Sequence, residues 1–292
     1  MKKLYFIIFA ALTLSSCTEI VEIELESTYK RLVVFGSITT DTTTHKIELK
    51  KSADYFFNQP AEKVSNAMVE LSYSDTSFLL KENPNLPGIY ETAPDFYGIP
   101  GETYTLTIEG TDVDNNGETE SYSASSYLPP VNEIDSITLM YSSNSFFSGW
   151  EIQVWTYDPE GEKNYYIFKT MVNGLLVTDT LTEYVIQNDD LFDGSYTYGI
   201  TSQFLMDSKE DERLNPGDIV TFEANGITEE YYDFLFQAQS ESFGQNPLFS
   251  GPPANITSNV SNGALGFFTA YSITRSSAKV PEEKPAGDDG IF

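Results

Sequence analysis

The sequence holds one cysteine, one histidine and two tryptophans, and these scarcities exclude several functions at once. A lone cysteine, Cys17, permits no disulfide within the chain. With His45 as the only histidine, neither a His/Cys zinc set nor the usual nucleophile–histidine–acid triad can be assembled. Basic residues are scarce too: 16 Lys+Arg stand against 44 Asp+Glu, a net charge of −28. A field of that sign repels phosphate backbones and excludes nucleic acid as a partner. Long apolar runs are missing beyond the N-terminus, since Phe234-Leu235-Phe236 and Gly266-Phe267-Phe268 fall far short of the roughly 20 residues that cross a bilayer.

What is present begins with Met1-Lys2-Lys3, an apolar stretch from Leu4 to Leu14, and Ser15-Ser16-Cys17. A short basic region, an apolar core and small residues before a cleavage point define a signal peptide over 1–16. Leu14-Ser15-Ser16-Cys17 matches the lipobox of bacterial lipoproteins, which makes Cys17 the expected acceptor of a diacylglycerol thioether. Two or three acyl chains, at roughly 0.8 kcal/mol per buried methylene, would anchor the chain permanently. Thr18 and Glu19 follow the cysteine without the aspartate of the familiar inner-membrane retention signal. The expected location is therefore the outer membrane, in either leaflet, with residues 17–28 as a lipidated tether.

About 275 residues remain after cleavage, enough for two domains with real cores. The 19 Tyr and 20 Phe, with many Thr, Val and Ile, favour strands. Apolar runs or alternations at 32–38, 45–50, 67–73, 77–81, 88–90, 104–109 and 120–124 are separated by Gly, Pro, Asn and Thr turns. They predict an all-β fold: an immunoglobulin-like or carboxypeptidase-regulatory-like β-sandwich over 29–130, closed by a stiff hinge at Leu128-Pro129-Pro130. A second β-rich domain is expected over 131–275, with strands at 134–141, 150–157, 164–169, 175–182 and 219–224. It carries one helix near 229–242, where Thr228 can cap, Glu229 and Glu230 face the positive end, and Tyr231, Leu235 and Ala238 share a face. The Pro-, Glu- and Gly-rich stretch 276–292 is expected to be disordered.

Candidate sites are few. Asp112, Asp114, Asn116 and Glu118 start like a calcium loop, with oxygens at alternate positions and Gly117 at the sixth. Ser123 stands where the bidentate Glu of such a loop belongs, and an Asn-Gly turn between two strands explains the same residues. Calcium is thus a weak expectation there. Weaker ones fall at Asp189, Asp190 and Asp193 with Glu183, and at Asp207, Glu210, Asp211 and Glu212, both expected as solvated loops. His45, between Thr44 and Lys46, is expected to be exposed. Trp150 and Trp155 lie five apart on one strand, so one faces the core and the other, like Phe146, could offer a stacking surface. Gly251-Pro252-Pro253-Ala254-Asn255 is a stiff loop suited to contact. The 44 acids select no carboxylate pair of the glycosidase kind, and the chain is not expected to be an enzyme.

Several segments, taken in order, resemble a known family: Leu32-Val33-Val34-Phe35-Gly36-Ser37-Ile38 soon after the lipobox, Gly101-Glu102-Thr103-Tyr104-Thr105-Leu106, and Asp158-Pro159 followed by Asn164-Tyr165-Tyr166. Above all there is Asn255-Ile256, then Gly263-Ala264-Leu265-Gly266-Phe267-Phe268-Thr269-Ala270-Tyr271-Ser272. This order is similar to that of the Bacteroidetes lipoproteins grouped as domain-of-unknown-function family 4249. The resemblance implies two β-rich domains on the cell envelope and, from relatives encoded beside TonB-dependent receptors, an accessory role to a transporter. It brings no catalytic residues. A surface lipoprotein that binds glycan or protein on its own is the alternative.

Overall fold

A computed structural model describes residues 30–52, 60–143, 148–242 and 256–283. The leader, Cys17 and its tether, Phe146 and the loop 251–255 lie outside the described residues. The first half contributes β1 (Leu32–Thr39), β2 (Lys46–Lys51), β3 (Met68–Tyr73), β4 (Thr76–Leu79), β5 (Lys81–Glu82), β6 (Ile89–Glu91), β7 (Thr103–Thr111) and β8 (Glu120–Tyr127). The second contributes β9 (Ile134–Ser143), β10 (Ser148–Thr156), β11 (Tyr165–Val172), β12 (Leu175–Leu176), β13 (Val185–Asn188), β14 (Ile200–Met206), β15 (Ile219–Ile227) and β16 (Leu265–Lys279). Among the described residues a single α-helix, α1 (Glu229–Ser242), lies between the last two strands.

Alternation makes these strands and decides their facing. In β7, Tyr104, Leu106 and Ile108 are fully buried while the intervening threonines are not, because successive side chains point to opposite faces of a sheet. In β2, Ile47 and Leu49 do the same. Three sheets result. A four-stranded sheet runs β4-β3-β7-β8 and a three-stranded sheet β14-β10-β9, while the largest runs β12-β11-β15-β16-β1-β2-β6-β5, with β13 also on β11. All pairs are antiparallel except β1 with β16. The chain is thus mainly β, with stacked sheets.

The large sheet packs against each small one. Val34, Ile47 and Leu49 share a core with Leu71, Leu106 and Ile108 of the four-stranded sheet. Further along, Phe222 and Ala224 share another with Trp150, Ile152 and Val154 of the three-stranded sheet. Side chains of opposite parity, Ile167, Ile227 and Tyr271, meet Leu235 of α1, so the helix covers the other face of the large sheet. Thr228 caps α1, its Oγ1 accepting the Tyr231 N–H at 3.3 Å.

Strand β16 departs from the expected organisation in two ways. Residues 265–271 pair parallel with β1, and 272–279 pair antiparallel with β15, so one strand of 15 residues belongs to both halves. The hinge at 128–130 does not divide the sheet. Leu128 is fully buried, and the Ser272 hydroxyl donates to the Pro129 carbonyl at 2.5 Å. Ordered structure also extends past residue 276: Ser276 to Lys279 pair with β15, and Val280 is buried. The expected disorder is corrected for 276–280; residues 284–292 lie outside the described residues. The expected strand over 175–182 shrinks to Leu175–Leu176, followed by a short 3-10 turn at Leu181–Glu183.

Arg275 fastens the seam. Its guanidinium donates to both oxygens of Asp41 at 2.8 and 2.6 Å, and to Glu223 of β15 at 2.8 Å. The forked donor set matches a carboxylate edge-on. Gly266 lets β16 approach β1: it has φ of +89°, and a Cβ there would lie 2.0 Å from the Val34 carbonyl oxygen.

Candidate functional site

Where the three-stranded sheet meets β11 and β15, the packing leaves a cavity of about 180 Å³. Its walls include Ile134, Val154, Phe168, Phe222 and Ala224, and it opens past Leu191 and Ile200. Leu191 is 88% and Ile200 43% exposed, and Tyr157, also lining it, is 49% exposed. Exposed apolar residues gathered at the mouth of a concave apolar site are a mark of binding. A cavity of about 150 Å³ with similar walls accepts benzene, so the space suits a ring or a short alkyl segment. Asp158 and Tyr166 contribute polar lining.

Those two residues lead into an acidic cluster. Asp158 follows β10, and Asp189 and Asp193 follow β13; one carboxylate oxygen of each lies within 4.8 Å of the other two. Asp158 and Asp189 are each 2% exposed. The Tyr166 hydroxyl donates to Asp158 Oδ1 at 2.7 Å, the Asn164 N–H to Asp189 Oδ2 at 2.7 Å and the Gly161 N–H to Asp193 Oδ1 at 2.8 Å. Burial raises the Asp158 carboxyl above its ordinary range, and the neighbouring Asp189 and Asp193 charges add to this, against the Tyr166 hydroxyl and Gly194 amide, which lower it. Burial, with Asp158 opposite, likewise raises Tyr166 far above the usual phenol range. Among the described residues these three carboxylates gather closely enough to share a cation, with no His or Cys in the group.

The expected site residues are distributed otherwise. Asp112 and Asp114 turn inward on their own loop: Asp112 accepts the Asn116 and Gly117 N–H groups, Asp114 the Asn116 N–H, and Asn116 Oδ1 the Glu118 N–H. An aspartate turn satisfies them, and no metal-sized group of acids forms there among the described residues. Asp189 is buried rather than solvated. It gathers with Asp193 and with Asp158, while Glu183 pairs instead with Lys209 at 3.1 Å. In the third cluster Glu212 is 3% exposed, bound by Lys209 at 2.6 Å and by the Met206 N–H at 2.7 Å, so that expectation of a solvated loop is corrected.

Trp150 is 2% exposed, in the core against Tyr141, and cannot serve as a stacking surface. Trp155 on the other face is half-buried, over Gly199, with its indole N–H 3.3 Å from Thr138 Oγ1. Beside it Tyr196 and Tyr198 form an edge-on pair, Tyr198 being 76% exposed. His45 is buried, not exposed: Nε2 lies 3.1 Å from Thr39 Oγ1 and the ring meets Phe96 edge-on. Burial holds it below its ordinary pKa of 6.5.

A family model, described as a domain of unknown function (DUF4249), matches residues 18–277. The chain belongs to this family. The match takes in the first β-sandwich, the cavity, the acidic cluster and nearly all of β16. The description of family DUF4249 names no activity, and no curated protein matches the chain.

Proposed function

We propose that the protein is a non-catalytic binding module, held on the outer membrane by lipid on Cys17 and working beside a TonB-dependent transporter. The observation that carries the binding role is the apolar cavity between the sheets, opening through exposed Leu191, Tyr157 and Ile200. The tether rests on the lipobox, and the transporter on the resemblance of the whole chain to envelope lipoproteins. A guest would be small and amphipathic, its apolar part against Phe168 and Phe222 and its polar end toward Tyr166. The only histidine, His45, belongs to the other core and does not reach the cavity.

The test takes the tagged chain from detergent-solubilised envelope. Recovery of a TonB-dependent receptor with the wild type, and its loss when Ala224→Phe fills the cavity, is expected; repeated recovery without any receptor would sink the transporter role. Radioactive palmitate should label the wild type and not Cys17→Ser. A second reading, an independent glycan binder, is favoured by the exposed Tyr198 beside Tyr196 and Trp155. Binding on a glycan array that Tyr198→Ala abolishes, with no receptor recovered, would select it.

A further inference from the structure

Three carboxylates share a space less than 5 Å across beneath the cavity, and none of them has an ion-pair partner among the described residues. Buried charges are ordinarily paired, hydrogen-bonded or bound to metal. Asp158 meets this requirement only in half: Oδ1 takes the Tyr166 hydroxyl, whereas Oδ2 is buried and no donor meets it at hydrogen-bonding distance and angle, although the Gly194 amide is near enough to favour the charged form. Asn164 repeats the pattern. Its N–H binds Asp189 Oδ2, but its own Oδ1 is buried and unpartnered. Two acceptor oxygens on the loop that leaves β10 and enters β11 are thus buried without a donor: Oδ2 of Asp158, whose carboxylate converges with Asp189 and Asp193, and Oδ1 of Asn164, whose backbone N–H reaches that cluster. Elsewhere in the chain buried acids are compensated, Glu212 by Lys209 and Glu223 by Arg275.

We propose that Asp158, Asp189 and Asp193, joined by the side-chain carbonyl of Asn164, form a calcium site. An all-oxygen set of carboxylates and an amide is the choice of a hard cation, and without His or Cys it offers nothing to zinc. Calcium fits better than magnesium. Donors on two separate loops, already committed in part to backbone N–H groups, accommodate irregular coordination at 2.3–2.6 Å more readily than a strict octahedron. Bound there, the ion would tie the loop after β10 to the loop after β13. Leu191 and Phe192, which lie between Asp189 and Asp193, line the cavity, so the ion would hold one wall of that space. The site does not depend on what occupies the cavity. A protein that binds Ca²⁺ but recovers no receptor supports the cation site and not the transporter role.

The full-length chain in detergent micelles, stripped of metal, is titrated with Tb³⁺, whose emission a nearby tyrosine such as Tyr166 sensitises. Emission that Ca²⁺ quenches by displacement, and equal Mg²⁺ does not, is expected. Asp189→Asn and Asp193→Asn should each weaken Tb³⁺ binding by more than about tenfold, and Asp112→Asn should leave it unchanged. Where a variant fails to fold, calorimetry on the wild type decides: one binding event with Ca²⁺ supports the site. No heat and no rise in the melting midpoint with millimolar Ca²⁺ overturns it, as does binding lost in Asp112→Asn but kept in Asp189→Asn.

Discussion

Arg275 reaches Asp41 on one side and the 6%-exposed Glu223 on the other, so removing it strands a buried acid with only the more distant Lys169, at 3.8 Å. Arg275→Met should lower the unfolding free energy by about 1–2 kcal/mol, less than a fully buried pair because the guanidinium is 38% exposed. Urea denaturation checks it. Hydrogen bonding from Arg275 holds Asp41 below its ordinary 3.8, a contribution present above that pH and lost as pH falls through the folded value. His45 acts nearer neutrality. Its folded pKa lies below the ordinary 6.5, so the unfolded chain takes up the proton first, and stability falls as pH drops through 6.5 toward the folded value. His45→Gln, which can keep the Thr39 contact, should flatten that part of the stability profile. Gly266→Ala meets both a positive φ and the Val34 carbonyl, and should cost at least about 2 kcal/mol.

Strand β10 shows what alternation makes legible. Trp150, Ile152 and Val154 face inward and Trp155 outward, as a five-residue separation requires. Trp150→Ala should cost about 3–5 kcal/mol, read from the denaturation midpoint. Helix α1 was equally readable, from Thr228 and the spacing of its apolar residues. The end of β16 was not. Ser276, Ser277 and Lys279 carry no apolar period, and their order comes from backbone pairing with β15, a partner more than fifty residues away that composition cannot reveal. The buried His45 escaped for a similar reason: the turn after β1 folds back and brings Thr39 against its ring. The acidic cluster was half visible. Asp189 and Asp193 stand close in sequence, but Asp158 joins them only because β11 pairs with β13 and brings two loops together.

On the scale of the whole molecule, two cores hang on one sheet. Residues 29–130 expressed alone would leave the edge of β1 bare and remove Phe268 and Ala270 from the first core. Such a fragment should be insoluble or protease-sensitive, in contrast to the whole chain under limited proteolysis. A chain ending at Arg275 should melt lower than wild type, because it loses four residues of pairing with β15 and the buried Val280. Thermal melts of the two proteins make the comparison.

The parallel contact between β1 and β16 also sets a timetable. Val33 emerges early in synthesis and its partner Leu265 roughly 230 residues later, a sequence separation of the kind that slows folding. A polypeptide made N-terminus first would therefore carry its leading half without that neighbouring strand until nearly the end of synthesis. Until the last segment arrives, that open edge invites pairing with other chains, and the interval before closure is when the chain is most exposed to aggregation.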